Sequence, residues 1–408
     1  MDNKSATALM VLAFCLPFSA AAGDNFGYTA TVNLAPAVTQ SAVFATVDEL
    51  RAGLETAGLQ QTFPGYDGTQ RAFAKVNYML LPMEATFPNV GYTGNGARLR
   101  YQVPSIGIDE VFQGANRDES IDQLVEYLKR NSGRIFKKLA EVSPSSPIAG
   151  NPNSLMSRMA AGAFNAAFTP FATNKTAPEE GETTPGLVGV GLGFGSYSGS
   201  GISTRAYTIP LSYTYRSPLD PRRQLSINAP VTVSDIEGAY SYTGNLGVSY
   251  RFPVNDYWAL TPNVNYGAVY SGDLGSAGQI LSAALTSALY FDLDVVELTI
   301  GNMAGYYATL NVPFGDYEGN PDIRNWVFRN GAMVSRQVSL AGTKTLDLYF
   351  IDTRFTGSDL YDQYTDEVGL AIGTNRSASS SRSYFRGSVG YLFGQQSHGW
   401  SINIGYWF

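Results

Sequence analysis

From residue 187 to the end, apolar and polar side chains alternate with a period of two, in stretches separated by turn residues. A strand sends successive side chains to opposite faces, so this pattern predicts strands with one apolar face each. Twelve such stretches can be traced. Val188, Val190, Leu192 and Phe194 share a face in the first, and Tyr207, Ile209, Leu211, Tyr213 and Tyr215 in the second. Leu225, Ile227, Val231 and Val233 mark the third, and Tyr242, Leu246, Val248, Tyr250 and Phe252 the fourth. The fifth sets Trp258, Leu260, Val264, Tyr266 and Tyr270 against Thr261, Asn263 and Asn265. Leu281, Leu285 and Leu289 follow, then Val296, Leu298 and Ile300, then an eighth, irregular stretch from Val327 to Val338. The ninth to eleventh carry Leu346, Leu348 and Phe350; Val368, Leu370 and Ile372; and Phe385, Val389, Tyr391 and Phe393.

The twelfth is the most regular. Trp400, Ile402, Ile404, Tyr406 and Phe408 fall on one parity, with Ser401, Asn403 and Gly405 between them. A soluble protein seldom leaves so apolar a strand at an open edge. In a barrel wall both edges are paired and the apolar face meets lipid. The expected fold is therefore mainly β: a transmembrane antiparallel β-barrel of about twelve strands over 187–408, preceded by an N-terminal α+β domain. The even count brings both barrel ends to the periplasmic side. Pro253–Asp256, Asp292–Asp294 and Leu340–Thr343 read as short periplasmic turns, with longer outer loops at 271–278, 308–325 and 356–363. The long connection 374–382 falls on the short side, and Pro210, Pro230 and Pro262 each remove a ladder donor.

Residues 1–22 read as a secretory signal. Lys4 precedes an apolar stretch from Ala6 to Phe18, and Ala20-Ala21-Ala22 suits cleavage between Ala22 and Gly23. Cys15, the chain's one cysteine, lies inside that stretch after Phe14, which is not the small residue that lipid attachment needs. Residues 23–152 lack the barrel pattern. Thr46-Val47-Asp48-Glu49 reads as a capping box opening a helix through Ala57. Ala97, Leu99, Tyr101 and Val103 alternate with polar residues in a half-buried strand. Ile121, Leu124, Val125, Leu128, Ile135, Phe136 and Leu139 lie on one helical face after a cap at Asp118. A further helix over 153–168 carries Leu155, Met159, Ala163 and Phe164. Its many small residues, among them Ala160, Ala161 and Gly162, suit a narrow space such as a barrel interior. Residues 169–186 are rich in Pro, Thr and Glu and read as a linker.

Composition narrows the function. The chain has 43 Gly, 26 Tyr and 22 Phe, and no stretch approaches the roughly 18 apolar residues of a membrane-crossing helix. A net charge of −7 without a basic stripe argues against nucleic acid. No cofactor is expected, since one histidine and no mature cysteine make no metal cluster. Arg251, Asn263, Asn265, Glu297, Asp347 and Arg386 have the parity of lumen-facing residues, where charges more often pair than catalyse. His398 with Ser397 or Ser401 could serve a lipid hydrolase; the expectation is instead a non-enzymatic barrel with a polar loop histidine.

A helix, a linker and twelve strands ending in Phe408 resemble the translocator unit of autotransporters, above all solitary barrels without a long repetitive passenger. The resemblance is architectural, over 153–408. Ala149-Gly150-Asn151-Pro152-Asn153-Ser154-Leu155-Met156 is similar to a segment of uncharacterised outer-membrane proteins. It implies residence in the outer membrane of a Gram-negative bacterium and contact with its lipid, with delivery by periplasmic chaperones and the barrel-assembly machinery. The roles it leaves open are a restricted pore, a translocator-like barrel, or a structural barrel whose loops bind a surface partner. Residues 23–168 are expected on the periplasmic side or plugging the barrel. Deleting Phe408 should leave little folded protein in outer-membrane fractions. Unchanged yield and unchanged heat-modifiable gel mobility would remove its assignment as an assembly signal.

Overall fold

The structure, a computed structural model, describes residues 27–35, 38–44, 47–88, 96–168, 186–220, 222–311, 320–339, 343–374 and 384–407. The signal segment with Ala22 and Gly23, nearly all of the linker 169–186, the connection 375–383 and Phe408 lie outside these residues.

The N-terminal unit is an antiparallel sheet of six strands: β1 (Gly27–Ala35), β2 (Val38–Phe44), β3 (Arg71–Tyr78), β4 (Leu81–Phe87), β5 (Arg98–Val103) and β6 (Ile108–Gln113), in the order β2-β1-β3-β4-β5-β6. Tyr28, Ala30 and Val32 on β1 and Leu99, Tyr101 and Val103 on β5 alternate into its core. That core is covered by α1 (Val47–Leu54), α2 (Thr56–Thr62) and the long α3 (Arg117–Val142), whose Ile121, Leu124, Ile135, Phe136 and Leu139 are buried. The single helix expected from Thr46 to Ala57 is divided at Glu55. The cap of α3 is Asn116, which accepts from the Glu119 N–H at 2.8 Å, rather than Asp118. Asp118 instead accepts from the Thr56 N–H and hydroxyl at 2.7 and 2.9 Å, tying the start of α2 to α3. Arg117 is buried, stacked 4.9 Å from the Phe87 ring centroid and bonded to the carbonyls of Gly96 and Gln70.

After α4 (Leu155–Phe168) the barrel begins. Its twelve strands are β7 (Leu187–Gly199), β8 (Ile202–Ile209, resumed at Leu211–Arg216), β9 (Gln224–Asn228, resumed at Val231–Ile236), β10 (Ala239–Pro253), β11 (Trp258–Ser271), β12 (Ser276–Asp292), β13 (Glu297–Thr309), β14 (Arg324–Ser339), β15 (Thr343–Gly357), β16 (Tyr364–Thr374), β17 (Tyr384–Gly394) and β18 (Ser397–Trp407). Neighbours pair antiparallel all the way round, and β18 closes on β7 from Ser397 opposite Gly199 to Trp407 opposite Gly189. Pro210 and Pro230 interrupt β8 and β9 at the same height, and the ladder continues beyond both. Pro262 stays within β11, opposite Leu285.

Most large apolar residues of the twelve stretches point outward, many of them exposed, from Leu192 and Tyr213 round to Ile402, Ile404 and Tyr406; Val327 instead points inward and is buried. Such a belt is the exterior of a membrane barrel, and it places the protein in the outer membrane. The eighth stretch, irregular in sequence, is regular in structure, with inward and outward positions alternating from Arg324 to Met333. Loop lengths depart from expectation at the end opposite the chain's entry. Besides 310–323 and 358–363, its connections are short: Ser200-Gly201, Glu237-Gly238, 272–275 and Gln395-Gln396. Long free loops are not needed there, because the N-terminal unit rests on that end.

Wall parity gives a graded prediction. Val264 is outward and 55% exposed, whereas Asn403 faces the lumen and keeps solvent exposure. Val264→Arg should cost about 2–4 kcal/mol of barrel stability and Asn403→Arg under about 1 kcal/mol. Denaturant unfolding in lipid vesicles would measure both, and equal costs would overturn the assignment of faces.

Candidate functional site: the plugged lumen

The twelve-stranded ring encloses more room than wall side chains alone fill, and α4 occupies part of it. The helix begins beside the end of the wall opposite the chain's entry, where Asn153 Nδ2 donates to Ser234 Oγ at 2.9 Å. It ends near the entry end, where the Tyr290 hydroxyl donates to the Ala167 carbonyl at 3.2 Å. It packs against β10 to β14, and the wall there is carved to receive it. A Cβ added to Gly267 would lie 2.7 Å from Leu155 and Met159. One added to Gly301 would lie 2.6 Å from Phe168, and one on Gly331 2.9 Å from Phe164. Phe164 and Phe168 stack at 4.7 Å, and Arg329 sits 5.4 Å over the Phe164 ring. On the other side Arg158 reaches β8 and β9, donating to Thr208 and Thr232 at 2.9 and 3.2 Å.

Above the helix, the segment 143–154 forms a buried neck. It is rich in Ser, Pro and Asn, yet nearly all of it is shielded from solvent. Buried polar groups need partners, and they have them. Asn151 Nδ2 donates to the Ser146 carbonyl at 2.7 Å, and the Leu155 and Met156 N–H groups donate to Pro147 and Ile148. Gly150 has φ +101°, and a Cβ there would meet the Ala140 carbonyl at 2.1 Å, so only glycine fits.

The barrel end opposite the chain's entry grips this neck. The N–H groups of Tyr361 and Asp362 donate to the carbonyls of Ala140 and Gly150 at 2.7 and 2.9 Å. The Asp362 carboxylate is buried and accepts from the Ser397 hydroxyl and, at 2.8 Å, from the Gln396 N–H. The Tyr361 hydroxyl bonds Ser200 at 2.7 Å. The N-terminal domain sits on the same end. Tyr78 donates to the Leu274 carbonyl, Lys137 to the Asp322 carbonyl, and α3 at Gly133 lies against Asn320 so closely that a Cβ would come within 2.2 Å. The domain thus lies opposite the end where the chain enters β7 and leaves β18.

The rest of the inner wall is polar and only partly covered. Asp347 and Arg386 are bonded at 2.8 Å, and the Tyr349 hydroxyl donates to Glu367 at 3.2 Å. Asn403 and Pro210 face inward and remain exposed. Arg251 is buried with its guanidinium 5.3 Å over the Tyr290 ring, and Asn265 donates to Asn263, both buried. Glu297 is half-buried at the start of β13. Trp400, Ile402, Ile404 and Tyr406 form the exposed outer face of β18. His398 is exposed on that same face, whereas Ser397 and Ser401 face the lumen. Strand alternation therefore separates the histidine from both serines. Hydropathy gave no sign of the neck, of Asp362 or of Glu367; only the Asn151-Pro152-Asn153-Ser154 turn residues hinted at the first.

No protein-family model and no characterised protein matches the chain. Among solved structures, the barrel is similar to the translocator domain of the autotransporter NalP from Neisseria meningitidis, at 13% identity and TM-score 0.47, covering 62% of this chain and 95% of that one. The β-domain of the Bordetella autotransporter BrkA gives 12% identity and TM-score 0.41 over 55% of this chain and 98% of that one. An outer membrane channel from Pseudomonas putida F1 gives 12% and 0.40 over 57% and 99%.

The neck should respond to pH. Burial raises the Asp362 carboxyl above its ordinary 3.8, outweighing the lowering pull of the Ser397 hydroxyl and nearby N–H groups. The folded state then holds the proton more tightly than the unfolded one. Its contribution is fully present at low pH and is lost as pH rises from about 3.8 through the raised value. Hydrogen exchange at 148–156, corrected for intrinsic rates, should show protection falling over that window and a flatter profile in Asp362→Asn. An unchanged slope in that variant would remove the carboxyl from the account.

Proposed function

We propose that this protein is a self-plugged display barrel, translocator-like in layout, which holds its own N-terminal domain at the cell surface. The observation that carries the reading is the direction of the chain through the lumen. The domain rests on the end opposite the chain's entry into β7, the neck and α4 run inward through the ring, and β7 starts at the far end. With both barrel ends periplasmic, as the even strand count requires, the domain's end is the outer one. The expectation of a plugging element stands in this reading, and the expected periplasmic side for the domain does not.

The polar, partly exposed inner wall around Asn403 and Pro210 favours a second reading, a restricted pore whose flow the helix limits. Catalysis has no part in either. His398 points to the exterior, away from Ser397 and Ser401, and His398→Ala should leave function intact.

An epitope inserted between Pro64 and Gly65, both exposed, offers a direct test in intact cells. Antibody labelling without lysis is expected, together with low conductance in planar bilayers that rises when 27–168, helix α4 included, is removed. Labelling only after lysis would overturn display. Conductance unchanged by the removal would overturn the plug and the restricted-pore reading together.

A further inference from the structure

We propose that the outer wall of β12 to β16 is an interface with a second copy of this chain within the membrane. Among the described residues, one rung of the outward face breaks the apolar belt. Ser287 lies opposite Asn302, Asn302 opposite Asn330, Asn330 opposite Asp352, and Asp352 opposite Asp366, so five successive strands present a continuous polar row. Asn302 Nδ2 donates to Asn330 Oδ1 at 2.8 Å, and Asn330 Nδ2 lies 3.4 Å from Asp352 Oδ2. Arg354 pairs with Asp352 at 2.6 Å and stacks 4.6 Å over the Tyr364 ring.

The row reaches the rim at Asp366, two residues from the start of β16, but at Asn330 and Asn302 it does not. On β14, Asn330 has Phe328 and Trp326 on its outer side and Ala332 and Val334 on its inner side, all facing out. On β13, Asn302 lies between Ile300 and Tyr306 in the same way. Both amides are exposed and therefore face acyl chains if nothing covers them. Lipid offers no hydrogen bond at that depth, so polar side chains inside a membrane are expected to meet protein. The headgroups of the outer leaflet do not solve the problem, because the aromatic residues stand between them and the two amides.

The chemistry of the row favours a second copy over an unlike partner. It combines amide donors and acceptors, two carboxylates and one guanidinium in a single patch. An isologous contact, in which the same patch meets itself about a two-fold axis, sets amide against amide near Asn330. It also lets Arg354 of each copy approach the carboxylate pair of the other. The rest of the outward wall, such as Val389 on β17 and Ile402 on β18, is apolar and suits lipid.

Cysteine cross-linking in outer membranes tests this, the mature chain having no cysteine of its own. Asn330→Cys should give a disulfide-linked species of twice the mass of the mature chain, and Val389→Cys should not. In mild detergent the wild type should have a dimer's mass, and the double variant Asn302→Leu, Asn330→Leu a monomer's, with heat-modifiable mobility retained as proof of a folded barrel. A monomeric wild type, equal cross-linking at 330 and 389, or a product containing an unlike protein would each overturn the proposal. So would a leucine variant that remains dimeric.

Discussion

Everything in this fold follows from the cost of an unpaired backbone group in hydrocarbon, several kcal/mol for each. Strands can enter lipid only if their ladder has no edge, and the pairing of β18 with β7 removes the last one. That closure explains why the chain can end on so apolar a strand without an aggregation-prone edge. It also explains where the prolines sit. Pro210 and Pro230 face each other across β8 and β9, so the donors they lack are lost at one shared point, and the pairing resumes on both sides.

Closure creates an interior that must then be dealt with. The wall of β10 to β14 answers with Gly267, Gly301 and Gly331, which leave depth for Leu155, Met159, Phe164 and Phe168. The helix is therefore held by shape on one side and by Arg158 hydrogen bonds on the other. The neck above it uses a different means, backbone bonds from Tyr361 to Ala140 at the end of α3 and from Asp362 to Gly150 within a buried run of Ser, Pro and Asn. Helix, neck and N-terminal domain form one continuous object attached to one end of the ring.

The barrel was legible in the sequence because lipid imposes a binary rule on alternate residues. The rule weakens where a wall position meets something other than lipid or water. On β14 the inward Val327 and Met333 are apolar and buried in the plugged interior, while the outward Asn330 belongs to the polar row. Both faces break the pattern for physical reasons, which is why that stretch read as irregular. Helix α4 was legible from its small residues. The neck was not, since its burial depends on hydrogen bonds that composition does not reveal. The strands β1 to β4 also passed unmarked; Thr, Ala and Asn in β1 alternate too weakly to declare a buried face. Asp118 was misplaced as the cap of α3 because its partner, Thr56, lies 62 residues away.

The direction of α4 through the ring sets an order of events in folding. A six-stranded sheet with a 26-residue helix across it is far broader than a lumen that one helix largely fills on one side. The folded domain cannot pass through. If the domain is displayed outside as proposed, either residues 27–154 cross as an extended chain and acquire their sheet afterwards, or β18 joins β7 only once the chain already threads the gap. In the first case the domain's long-range pairings form last, in the second the β18–β7 closure does, and in both the closed barrel keeps the thread from slipping back.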